Sequence, residues 1–289
     1  MAAQGSFAFV QLEFGFVLGP DDGRYVTRAG PGAAPERVVV ISTLNAPKPA
    51  PRLSRRRRPK QVTHAATPAM PLARVTMIHA GPFPAPADAA SWLGALVTDS
   101  EALHFEVDLA VRELNRVLRA HRAAAADPYA RDVSAAQAIA VRVGYGDGSE
   151  VADGNYTDAY EVPRDERRRK RSEMLLPNER LAAVLAGRED ILASEELVLR
   201  ARADVDAGRH REAALQTRVA LEALLAELGP DELGDRRAEV AARRPLVADA
   251  ANAALAGDVP SELSEGVAET VTLLESALAR ARAKQASGS

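Results

Sequence analysis

The chain has 289 residues, of which 47% are hydrophobic and 27% charged, with a formal net charge of −3. That length suits one large domain or two ordinary ones with a sizeable core. The absence of cysteine excludes disulfides, cysteine-ligated metal centres and thiol nucleophiles.

The first element reads as a strand. In FAFVQLEFGFVL, residues 7–18, one alternate set is Ala8, Val10, Leu12, Phe14, Phe16 and Leu18, wholly apolar. The other set is mixed, so the period is two. The apolar start has no basic flank and Glu13 interrupts it, unlike a signal peptide. No run reaches the roughly 18 apolar residues of a spanning helix. The expectation is a cytoplasmic, soluble protein with no transmembrane segment. GPDDGR then supplies a turn, and RYVTR is expected to return as the strand paired with the first. ERVVVISTL and ARVTMIHA are two further strands by their β-branched content.

Between those two strands, residues 46–71 hold six prolines and a basic tract, and read as a solvated, mobile loop thrown out of the sheet. ADAASWLGALV is a short helix carrying the only tryptophan, Trp92. A long helix follows, with Leu103, Val107, Val111, Leu114, Leu118 and His121 at spacings of three and four, stopped near Pro128.

AIAVRV and NYTDAYEV are strands on either side of the glycine-rich stretch from Val141 to Gly154. A phosphate loop requires such a stretch to lead into a helix whose N–H groups face the anion. Gly144, Gly146 and Gly148 fit neither the dinucleotide nor the P-loop spacing, whereas Asp147-Gly148 is a favoured hairpin turn. We read a hairpin with Gly148 at positive φ. The alternative is a loop whose acids bind something cationic.

After Pro163 the texture turns helical. Residues 177–187 form a helix opened by Pro177 and closed by Gly187. The next runs to Gly208 with Ile191, Val198, Ala201 and Val205 on one face, and another runs to Gly229. A segment broken at Pro245 follows. The last helix carries Leu263, Val267, Val271, Leu274 and Leu278, with QASGS as a frayed tail. Two helical hairpins are expected, hinged at Gly208 and Gly257. Ala201, Gly208, Ala213 and Ala220 fall at the spacing of the small residues in a tetratricopeptide-type hairpin, with Asp204 and Thr217 where that motif has bulky aromatics. This resemblance, over about one repeat, implies helix pairs stacked into a partner-binding surface. A plain helical bundle accounts for the same pattern. The region also resembles a HEPN-type bundle without the Arg-x4–6-His of the nuclease members, since no arginine stands at that spacing before His210. The overall pattern, rich in Ala and Arg, resembles that of actinobacterial proteins, which implies no function.

The five histidines, His64, His79, His104, His121 and His210, show no metal spacing. His104 and Asp108, four apart on a helix, read as a surface pair, and Glu195-Glu196 as a solvated face. No Gly-x-Ser-x-Gly elbow occurs. No catalytic, cofactor-binding or metal-ligating residue is assigned, and no cofactor is expected.

The basic tracts are the strongest positive signal. Residues 52–60 carry +6 and residues 164–171 a net +4, which leaves −13 for the rest of the chain. Arg55, Arg56, Arg57, Arg58, Lys60, Arg167, Arg168, Arg169, Lys170 and Arg171 are candidate contacts to phosphates or to an acidic protein face. The expected fold is α+β: an antiparallel sheet with helices in residues 1–163, a basic linker at 164–171, and an all-α helical-hairpin bundle in 172–285. The leading functional reading is a non-enzymatic interaction or scaffold protein using the C-terminal helices as docking surface, with an unidentified protein partner. One alternative is a nucleic-acid-associated protein using the arginine tracts, and a second is an enzyme with a site near residues 144–154. A homo-oligomer is compatible with each.

Overall fold

The computed structural model describes residues 5–44, 72–163 and 171–288, the side chains of 171–177 and 285–288 excepted. The chain forms two compact units, Met1–Glu166 and Arg167–Ser289. The first contains an antiparallel sheet with helices and the second is helical, so the fold class is α+β.

In the first unit, β1 (Ser6–Phe14), β2 (Gly23–Arg28), β3 (Pro35–Leu44), β4 (Leu72–His79), β5 (Ala138–Asp147) and β6 (Asp158–Glu161) form one antiparallel sheet in the order β2-β3-β4-β1-β5-β6. β1 is central and buried on both faces: Phe9, Val10, Leu12 and Phe14 are fully enclosed, and Gln11 nearly so. It stops at Phe14, and the expected continuation through Phe16 and Val17 is exposed.

RYVTR does not pair with β1 as expected. It lies in β2, three positions away, hydrogen-bonded to β3. The reason is its charge pattern. Arg24, Val26 and Arg28 share one face and are exposed; beside β1, where Glu13 already serves Arg74 and Arg142, both guanidinium groups would be buried without a carboxylate. The eight residues between Phe14 and Gly23 cross those three spacings of about 4.8 Å each without difficulty. β3 and β4 pair along their length up to Leu44–Leu72, so residues 45–71 connect adjacent strand ends. They lie outside the described residues.

The helices α1 (Pro86–Thr98) and α2 (Ser100–Ala125) cover one face of the sheet. Asp99 starts α2 by accepting from the amides of Glu101 and Ala102, both at 3.0 Å, as an N-cap carboxylate does. The stripe Leu103, Val107, Ala110, Leu114 and Leu118 packs on Val10, Leu12, Phe14, Val39 and Val75. His104 bonds through Nδ1 to the Ser100 carbonyl one turn back. Ala126, in the left-handed region at φ 52°, ends the helix just ahead of Pro128.

In the second unit, α4 (Arg171–Leu185) begins before Pro177, which stands inside it rather than at its start. α5 (Ala193–Asp206) leaves Ile191 outside and exposed, contrary to the expected stripe. It is joined through Gly208, at φ 67°, to α6 (His210–Glu227). α7 (Pro230–Leu233) and α8 (Arg236–Ala242) are short, and α9 (Arg244–Ala256) begins at the Pro245 break. α10 (Ser261–Gly288) follows the Gly257 hinge and continues through the expected frayed tail to Gly288. α5, α6, α9 and α10 pack as a bundle. Leu221, Leu224, Val247, Leu274 and Leu278 fill its centre, and Ala213, Ala214, Ala250 and Ala254 allow close approach at the other end. Buried Thr217 and Thr270 satisfy their hydroxyls by donating to carbonyls one turn back, each at 2.7 Å.

Candidate functional site

Of the sequence-selected contacts, Arg55, Arg56, Arg57, Arg58, Lys60, Arg167, Arg168, Arg169 and Lys170 lie outside the described residues. Arg171 opens α4, and its side chain is likewise outside the description.

The glycine-rich stretch is not a two-residue hairpin turn. β5 runs into the five-residue helix α3 (Gly148–Ala152), and β6 returns only after a further loop. Gly148 does not have positive φ, whereas Gly154 does, at 90°. The glycines answer a packing requirement. A Cβ on Gly144 would stand 2.3 Å from the Asp158 carbonyl oxygen, and one on Gly146 would stand 2.9–3.0 Å from Val151, Tyr156 and Thr157. Without side chains there, α3 and the following loop lie down on the sheet and bury Val151 and Ala152 against Phe9, Val40 and Ile78. The amide at the start of α3 is already occupied. The Asp147 carboxylate accepts from Ser149 N at 3.0 Å and from its Oγ at 2.6 Å, which holds the Asp147 carboxyl below the usual range. A phosphate would meet that carboxylate.

Two polar clusters lie within the first unit and one within the second. On the face under α3, Gln11 donates to Thr76 at 3.2 Å, and Arg142 donates to Gln11 and Glu13 at 3.1 Å each. Arg74 donates to Glu13 at 3.2 Å. On the opposite face, His79 Nε2 meets Glu106 Oε1 at 2.7 Å, and Arg37 lies 3.6 Å from the same oxygen. Burial would raise the Glu106 carboxyl, but the hydrogen bond to His79 and the charges of His79 and Arg37 outweigh it and hold it below the usual range. His79 has Trp92 edge-on at 6.5 Å.

The third cluster corrects the reading of Glu195-Glu196. Glu196 is exposed, but Glu195 is 4% exposed. Arg180 grips both its oxygens at 2.9 and 2.8 Å, and Arg282 adds a bond at 2.8 Å. Burial would raise this carboxyl, and the two arginines hold it down. Glu195 thereby ties α4, α5 and α10 together. None of these clusters places a nucleophile beside a base, and no group of three His, Asp or Glu among the described residues could hold a metal. No helix among the described residues is long and apolar enough to cross a membrane.

The sheet has two edges among the described residues, the four-residue β6 and the longer β2. β2 has β3 on one side and no described strand on the other, so alternate N–H and C=O groups point outward. A cleft of about 530 Å³ runs between β2 and the second half of α2, lined by Pro20, Tyr25, Thr27, Val117, Ala120 and Ala124, with Arg116 and His121 also lining it. On the other face of β2 a cleft of about 580 Å³ is floored by Phe7, Val26, Val38 and Ile78 and flanked by Arg24 and Arg28. Arg116 donates to the Arg28 carbonyl, linking helix and strand. The alternation Arg24-Tyr25-Val26-Thr27-Arg28 carries a signal that sequence reading passed over: two charges on one face mark an edge strand.

No protein family matches the chain, and neither does any curated protein or solved structure.

Proposed function

We propose that this is a non-enzymatic interaction protein that takes up an extended partner segment as an added strand beside β2. The observation that carries this is an edge strand with an apolar-floored cleft on each of its faces. An added strand gains main-chain hydrogen bonds from β2, and its side chains enter the two clefts alternately. The apolar stripes of the helical unit are used within the bundle: Leu221, Leu224 and Leu225 on α6, Leu228 at its end, and Val267, Val271, Leu274 and Leu278 on α10 are all buried.

A second reading keeps the helical unit as the docking surface. It is favoured by Leu181 and Leu185, one turn apart on α4 and 55% and 78% exposed. Peptides selected from a random display library against the full chain separate the two. Hydrogen exchange with a selected peptide bound should slow at residues 23–28. Protection confined to residues 178–185 would transfer the function to α4, and no selectable peptide would overturn both readings.

A further inference from the structure

We infer that the segment added beside β2 is acidic, a five-residue stretch with a carboxylate at each end and three apolar residues between; this rests on the strand-addition reading above. Among the described residues, the clefts are lined by the arginines Arg24 and Arg28 on the open face and Arg116 on the α2 side, and by no Asp or Glu. Arg24 has only a loose pair with Asp153, at 3.5 Å with both side chains mostly exposed. Arg28 donates one Nη1 bond to the Ala33 carbonyl and has no carboxylate partner among the described residues. Both guanidinium groups are therefore open to a new anionic partner.

The spacing sets the pattern. Arg24 and Arg28 lie four residues apart on one face of β2, about 13 Å along an extended chain. In an antiparallel neighbour the residues opposite them are also four apart, and the one opposite Val26 stands between them. Acidic side chains opposite the arginines would pair with them, and an apolar one opposite Val26 would complete the floor. The two intervening residues point to the α2 side, where Tyr25, Val117, Ala120 and Ala124 favour apolar groups. The motif is acidic–apolar–apolar–apolar–acidic.

The same charges disfavour a second copy of this chain. Two β2 strands paired about a two-fold at Val26 would set Arg24 of each against Arg28 of the other, on the same face, and like charges directly opposite are destabilising. Asp153 reaches only Arg24, loosely at 3.5 Å, and Asp22 is already committed to Thr43 N and Oγ1 at 2.8 and 2.7 Å.

The test uses the full chain and three labelled nine-residue peptides, each with a central five-residue motif: glutamates at both ends of three valines, lysines in place of the glutamates, or serines in their place. Fluorescence anisotropy at low and at 0.3 M salt reads the affinity, and hydrogen exchange at residues 23–28 reads the location. The glutamate peptide should bind about tenfold more tightly than the serine peptide, because each surface pair is worth a factor of about 1.5–5, and salt should reduce the advantage. The double variant Arg24→Glu, Arg28→Glu changes two exposed side chains and should prefer the lysine peptide. Its melting curve by circular dichroism checks that it folds. Equal binding of all three peptides with protection at β2 would overturn the acidic preference and leave strand addition standing. No binding of any peptide, or protection elsewhere, would overturn strand addition itself. Concentration-dependent dimerisation through β2 in sedimentation would replace the acidic partner with a second copy.

Discussion

Replacing Gly144 with alanine tests whether the glycine-rich stretch serves packing. The new Cβ would stand 2.3 Å from the Asp158 carbonyl oxygen and 2.8 Å from Ala159 Cα and Cβ. These are mainly backbone atoms of the paired strand β6, so neither side can rotate away and the two strands must separate. Overpacking of this kind costs about 1–3 kcal/mol. Restricting the unfolded chain returns about 0.4–1 kcal/mol, so the net loss is about 1–2 kcal/mol. Gly148→Ala is the internal control. Its Cβ meets only the Phe7 ring, at 3.1 Å, which can give way, and the residue opens helix α3 without positive φ. Its effect should stay within about 0.5 kcal/mol. Urea unfolding followed through Trp92, the only tryptophan and a residue packed on Phe83 and His79, reports on this unit. Gly144→Ala should lower the midpoint by about 0.5–1 M. If Gly144→Ala matches the wild type, or if Gly148→Ala is the more damaging, close approach is not why the glycines are there, and a ligand role for the stretch returns.

The Glu195 clasp gives the helical unit a pH dependence. Its carboxyl is held below its usual value by Arg180 and Arg282, so its contribution is complete above the unfolded value of about 4.3 and is lost as pH falls through the lower folded value. Glu195→Gln should cost about 1.5–3 kcal/mol at neutral pH, the range for hydrogen bonds to charged groups. It should also flatten the acid limb of a melting-temperature profile, and an unchanged limb would show that the clasp is not ionised as described. In the bundle core, Leu274 is fully buried beside Leu221 and Leu224. Leu274→Ala should lower stability by about 2–5 kcal/mol, read by circular dichroism at 222 nm in urea. A loss under 1 kcal/mol would mean that the α10 stripe is not the centre of the packing.

Much of the fold is legible in the sequence because its signals are local. β-branched runs at Val38–Ile41 and Val75–Ile78, the three-and-four spacing along α2 and α10, and the glycines at 208 and 257 each act within a turn or two of the chain. What the sequence determined alone is therefore the type and approximate extent of the long elements, down to the break at Pro245; the short helix α3 reads as a hairpin turn. Element ends are less well marked. Pro177 reads as a start but stands inside α4, and Phe16 and Val17 continue an apolar run yet lie outside β1. For Phe16 and Val17 it is exposure, not periodicity, that draws the line.

The tertiary structure decided what depends on distant residues. β1 pairs with β4 and β5, both distant in the sequence, and β2 goes to the rim, where its two arginines stay in solvent rather than being enclosed without carboxylate partners. Glu195 reads as a surface acid because its partners, Arg180 and Arg282, stand 15 and 87 residues away. Glu106 and His79 are 27 residues apart and meet only when α2 lies across β4. The groove beside β2 exists for the same reason. Its strand is written in five consecutive residues, but its clefts are made by α2 on one face and by Phe7, Val38 and Ile78 on the other, and no local pattern carries the information that those segments meet.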